Sequence, residues 1–245
     1  MNKKFELIKN DSIEIDGHKL YRLRALIDFN DVKAGDLGGY VESENNLSQM
    51  DDCWIYDNAC VYGNACVYDN ACVYSNAKVY GDAKVYDNAH ISGNARVYDN
   101  TCVYSDAKVF DSAWISGNVR VADNARVYDR AYISGNVHVD DNAYVADDAY
   151  VSDNARVFGN VSIFGNAHIS GDAIVKKDSD YIVFKNTWSS RRYFTYTKSN
   201  KMWRVGCFYG SGDELIQKAY KDSENSGKNY ELYVNLVKEM EKIRR

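Results

Sequence analysis

Proline is absent from all 245 residues, and no apolar run reaches membrane-spanning length. The first absence leaves no proline-rich spacer between parts of the chain, and the second leaves no candidate transmembrane helix. Residues 1–10 are charged and hold only a short Leu-Ile pair, so no signal peptide is expected and the chain reads as soluble and cytoplasmic. Cysteine is limited to Cys53, Cys60, Cys66, Cys72, Cys102 and Cys207. Four of these share a six-residue phase, a spacing unlike a zinc knuckle, so unpaired thiols and no metal site are expected.

The net charge of −5 hides a division. Residues 1–50 carry 7 basic and 9 acidic side chains, residues 51–175 carry 8 and 17, and residues 176–245 carry 15 and 9. The excess of positive charge therefore lies at the C-terminal end alone.

A strict period of six fills the middle. From Ile55 to Val175 every sixth residue, 21 in all, is Val or Ile. Two positions before each stands a small or modest side chain, 16 times Ala. Two positions after, from Asp57 to Gly171, comes only Asp, Gly or Ser, and Asn, Asp or Ser usually follows, with Arg130 the departure. Strand side chains alternate, so the aliphatic residue and the Ala two before it point to one side. The Asp/Gly/Ser-Asn pair supplies turn chemistry and tolerates left-handed backbone angles. Each hexad is then one short strand and one turn, and three hexads close a triangular coil of 18 residues.

The flanks read differently. Within residues 1–50, apolar and polar residues alternate on either side of Asp16-Gly17, which predicts a hairpin. The glycine-rich run 34–41 is expected to turn the chain onto the first coil; it lacks the lysine of a phosphate loop. Within residues 176–245, the runs 181–184, 192–197 and 202–209 predict three antiparallel strands, followed by a helix opening at Ser211 and a second from about Asn229.

Val61-Tyr-Gly-Asn-Ala-Cys and its neighbours resemble the hexapeptide repeat, aliphatic and small residues at fixed places, across about half the chain. A systematic departure is tyrosine where the family has its first small residue, as at Tyr56, Tyr62, Tyr68 and Tyr74. The whole-chain pattern is similar to hexapeptide proteins of bacteria and their phages. The resemblance implies a left-handed parallel β-helix; with the flanks read above, the expected fold is mainly β, about seven coils (51–175) with an N-terminal β-hairpin cap (1–50) and a C-terminal α+β cap (176–245). It also implies a homotrimer with parallel axes, and, in many relatives, acyl transfer from acyl-CoA with a histidine as general base.

Residues 18 apart should lie above one another, which sorts the outward side chains into three faces. Face two stacks Trp114, Tyr132, Tyr150 and His168 beside a column of serines. An exposed aromatic stripe of this kind is expected to be an interface with other copies. Face three stacks Arg120, His138 and Arg156, which could hold a phosphate or carboxylate. The stretch 176–204 interleaves eight basic residues with aromatic ones. That places Arg191, Arg192, Trp203 and Arg204 among candidate contacts for an anionic or nucleotide-like ligand. Duplex nucleic acid is not expected, because the repeat is acidic. Four histidines, His18, His90, His138 and His168, are available as bases, and His168 is the catalytic candidate because it lies on face two.

The reading taken from these residues is a non-catalytic oligomeric binder of a small anion, one version being phage-type sequestration of a signalling nucleotide. The alternatives are an acyl-CoA-dependent acyltransferase and a protein-interaction scaffold. No cofactor is expected, coenzyme A entering only with the acyltransferase.

Overall fold

A computed structural model describes residues 3–243. The chain opens with β1 (Phe5–Ile15), β2 (His18–Ala25) and β3 (Leu37–Val41). Twenty-one two-residue strands follow, β4 (Trp54–Ile55) to β24 (Ile174–Val175), at six-residue intervals. They stack into three parallel arrays in which each strand from β7 to β21 pairs with the strands three before and three after it. With Leu47 bridging to Val67 and β3 pairing with Cys60–Val61, the parallel solenoid has about eight turns.

The turn position decides this shape. All twenty residues from Asp57 to Gly171 in steps of six, twelve Asp or Ser and eight Gly, have φ between 52° and 91°. Glycine meets this region without steric cost, and Asp meets it more easily than branched residues do. One such turn after every strand bends the chain through a triangle, which brings residue i under residue i+18. The turns then bond vertically. Asp carboxylates accept from the backbone N–H one coil up, as Asp57 does from Ser75 (2.9 Å) and Asp153 from Gly171 (2.8 Å). The following Asn residues form amide ladders, for example Asn100, Asn118, Asn136, Asn154 and Asp172 at 2.9–3.0 Å per step.

Inside, every aliphatic hexad residue and every Ala two before it is buried. The same core cluster includes Phe5, Leu23, Val41 and Leu47, so the leading segment shares one interior with the repeat. Asp16 and Gly17 form the tight turn joining β1 to β2. The glycine-rich run does more than turn the chain: Gly38 and Gly39 sit within β3, and a Cβ on Gly39 would stand 2.4 Å from the Ala59 carbonyl oxygen. Lys4 plugs the lower end. It is buried, and its Nζ donates to the carbonyl oxygens of Met50, Asp51 and Cys53 at 3.0–3.1 Å.

At the upper end stands a four-stranded antiparallel sheet of β25 (Tyr181–Lys185), β26 (Tyr193–Thr197), β27 (Met202–Val205) and β28 (Phe208–Ser211). The predicted single strand over 202–209 is a hairpin instead. Gly206, at φ 58°, and Cys207 turn the chain so that Val205 pairs with Phe208. Alternation splits β26: Thr195 faces the solenoid and bonds it, while Phe194 and Tyr196 join the core beneath the helices. Helix α1 (Gly212–Asp222) starts at Ser211, whose hydroxyl and Glu214 form a capping box. Helix α2 (Glu224–Ile243) begins five residues before the predicted Asn229. Ser223 Oγ accepts from Ser226 N–H (3.1 Å) at its start, and the Tyr220 ring packs over Gly227, leaving no room for a Cβ. No described helix is long and apolar enough to cross a membrane.

The left-handed turn is the testable element. Asp111, at φ 57°, makes no vertical carboxylate bond, so substitution there isolates backbone strain. Asp111→Val is expected to lower stability by about 1–3 kcal/mol, and Asp111→Gly by much less. Urea midpoints of the two variants measure the difference; equal losses would remove the backbone explanation.

Candidate functional site

Face two carries an aromatic chain longer than the expected column. Trp114, Tyr132, Tyr150 and His168 stand in register on neighbouring strands, with ring centroids 5.9, 4.9 and 4.9 Å apart. Below them Tyr62, Tyr80 and Tyr98 stack at 5.0 and 4.8 Å, and Tyr98 meets Trp114 at 6.1 Å. His18 lies 5.1 Å from Tyr62. Rings therefore run without a break from the first hairpin to the C-terminal sheet. Trp114, where the chain of rings shifts from one side of the strand to the other, is the most open of the column at 38% exposure.

The upper end of that chain is a polar junction. His168 and Ser170 flank Ile169, so both point outward from the same strand end. The C-terminal sheet closes over them: His168 N–H donates to Thr195 Oγ1 (2.9 Å), and Tyr209 Oη donates to the Ser170 carbonyl oxygen (3.4 Å). Gly171 permits the approach, because a Cβ there would stand 1.8 Å from Tyr209 Oη. Arg204 pairs with Thr195 on one side and Tyr209 on the other, so its side chain shares their solenoid-facing side. Two buried polar atoms on this side of the sheet, Ser170 Oγ and Arg204 Nε, have no hydrogen-bond partner. Buried donors are nearly always satisfied in folded proteins, by protein, water or ligand. Burial, and then the Arg204 guanidinium, push the His168 imidazole below its ordinary value, a direction that favours the neutral ring.

The other expected residues divide. Arg120, His138 and Arg156 do stack in register, with both arginines exposed and His138 half-buried between them. Asp140 stands on the same strand end, and burial raises its carboxyl above the ordinary range. This column lies on another sheet from His168, so the two sets do not form one site. Arg191 and Arg192 are exposed on the loop leading into β26, away from Arg204, which faces the solenoid. Trp203 corrects the expected stacking platform. It is 2% exposed, wedged with Phe184, Phe194 and Tyr196 in the core under the helices, and offers no open ring face to a nucleobase. Tyr209 and Ser170 were missed from sequence. Ser170 stood in the noted serine column, but only the docked sheet makes it part of a site.

His90, in the same Ala-His-Ile-Ser-Gly text as His168, stacks on Tyr74 at 5.8 Å and is likewise lowered, by burial and then by Lys108. No unpartnered buried group lies on its strand among the described residues. Nor do the described residues contain a cluster of His, Cys, Asp or Glu able to hold a metal ion.

A family model described as the YdcK β-solenoid repeat matches residues 89–105. A curated protein of Escherichia coli (strain K12), named "Uncharacterized acetyltransferase YdcK", is 46% identical over 50 residues. The match covers 19% of this chain and 15% of that relative.

His168 yields a pH signature. Its folded value lies below the ordinary 6.5, so the unfolded chain binds the proton more readily. Stability is therefore expected to fall as pH drops below about 6.5, and to fall less steeply in His168→Gln. Denaturant midpoints between pH 7 and pH 5 measure this; parallel profiles would show that His168 titrates as in the unfolded chain.

Proposed function

We propose that this chain, which fits a hexapeptide-repeat β-helix family, is an acyltransferase that moves an acyl group from an acyl-CoA thioester to a small acceptor, with His168 as general base. The observation that carries the reading is the half-buried His168, favoured in its neutral form, at the junction that holds two unpartnered polar groups, in a chain with an acetyltransferase-named relative. A general base must be unprotonated at working pH, and burial favours that state here. In the reaction, a ring nitrogen of His168 takes the proton from the acceptor's hydroxyl or amine as it attacks the thioester carbonyl. The Arg204 guanidinium, close enough to His168 to act on its imidazole, is the positive charge that favours the carbonyl oxygen as it gains charge. The C–S bond then breaks, and the departing thiolate takes the proton from the imidazolium.

The reading includes a left-handed coil and a trimer with parallel axes, its subunits meeting along the aromatic chain of face two. Trp114, exposed within an otherwise half-buried stack, supports that contact. The site would then lie at the upper end of the groove between subunits.

Thiol release from acetyl-CoA, followed with a panel of small hydroxyl and amine acceptors, tests the chemistry. His168→Ala is expected to lower turnover by about 10²–10⁴-fold. Neither turnover nor coenzyme A uptake with any acceptor would sink the transferase, and loss in His90→Ala but not His168→Ala would move the base. For the assembly, native mass spectrometry should show a trimer that Trp114→Asp with Tyr132→Asp converts to monomers; an unchanged mass would dismiss face two as the interface.

A further inference from the structure

The C-terminal unit holds a second concavity on the helix side of its sheet, opposite the face that meets His168. It is a cleft of about 270 Å³ between the β27–β28 turn, the start of β26 and α1. Val205, Phe208, Leu215 and Tyr230 give it an apolar floor. Arg192 and Lys218 stand on its rim, with Asp222 and the thiol of Cys207. We propose that this cleft binds a small amphipathic carboxylate, its apolar body on the floor and its carboxylate on Arg192 and Lys218.

Three observations carry the assignment. First, both rim cations stand at the mouth of one apolar cleft without an ion-pair partner among the described residues, so each is free to meet an anion seated there. An arginine fork matches a carboxylate in two parallel hydrogen bonds, which a lone water cannot reproduce. Second, Arg191 holds φ at 57°, a left-handed angle unusual for a long side chain, in the bend just before Arg192 enters β26. Such strain persists where the surrounding structure fixes it, and it concentrates at ligand sites. Third, the volume falls slightly below the roughly 300 Å³ at which ordinary ligand pockets begin, too little for a nucleotide. Asp222 adds a negative charge to the rim, which disfavours a phosphate dianion and leaves a carboxylate monoanion as the better match.

The assignment does not rest on acyl transfer. Arg204 and Val205 are adjacent in one strand and point to opposite sides, so the two sites are separated by the sheet.

The test uses the full chain, with 4-phenylbutyrate and hexanoate as probes and hexan-1-ol and hexylamine as neutral and cationic controls. Calorimetry reads binding. Alkylation of Cys207, the one exposed cysteine, reads occupancy of the cleft by mass spectrometry. Saturable binding of the carboxylates that slows Cys207 alkylation is expected. Arg192→Ala or Lys218→Ala, both at exposed positions, should weaken it by about tenfold or more, while His168→Ala leaves it unchanged. No binding, equal binding of hexan-1-ol with no effect of either substitution, or binding lost in His168→Ala but kept in Arg192→Ala would each overturn the proposal.

Discussion

A backbone angle repeated every six residues governs this molecule. Each turn from Asp57 to Gly171 places one residue in the left-handed region, and the accumulated bending puts position i+18 directly over position i. Everything that stabilises the solenoid uses that superposition. Val and Ile meet one another inside, carboxylates meet backbone N–H groups at the corners, amides meet amides beside them, and tyrosine rings stack outside. No single interaction of this kind is large. Their common register makes each tier a template for the next, as in other quasi-one-dimensional folds.

A structure built by stacking has two exposed ends, and each end carries unpaired strand edges. The chain closes them by different means. Below, β3 and Leu47 begin the stack, and a buried lysine donates to three carbonyl oxygens. Above, a small sheet lays Thr195, Tyr181 and Tyr209 on the last coils and turns Phe194, Tyr196 and Trp203 to two helices. Side chains from unrelated parts of the chain converge at both closures: Thr195 and Tyr209 on the last coil, and Asp16 and Asp31 on Tyr62 and Tyr56 of the first. Along the middle of the prism, the neighbours one coil above and below are repeats of one another.

This difference explains what the sequence made legible. The interior at Val109 or Ala113, the outward tyrosines and the stacking of Arg120 on His138 follow from counting by six and eighteen, and the structure places them so. The junction at His168 follows from no period. Arg204 lies 36 positions away in sequence, and Tyr209 reaches Ser170 only after a hairpin whose Gly-Cys turn carries a weak signal. Trp203 shows the opposite failure. Its basic, aromatic surroundings suggest a binding surface, yet alternation along β27 sends the ring inward and leaves Arg204 facing the solenoid. The early start of α2 was hidden by Gly227, a residue that weakens helices but is required where Tyr220 packs against it.

The fixed spacing of strand pairs also bears on how the chain reaches this shape. Sheet proteins usually fold slowly, because partners far apart in sequence must find each other. Here each solenoid strand bonds one only 18 residues away, about 0.07 of the 245-residue length. That fraction lies at the level of helical bundles, roughly 0.07–0.12. The solenoid is thus β in its hydrogen bonds but local in its topology. A growing stack can add one coil at a time, with no long loop to close and no completed sheet waiting for a distant partner.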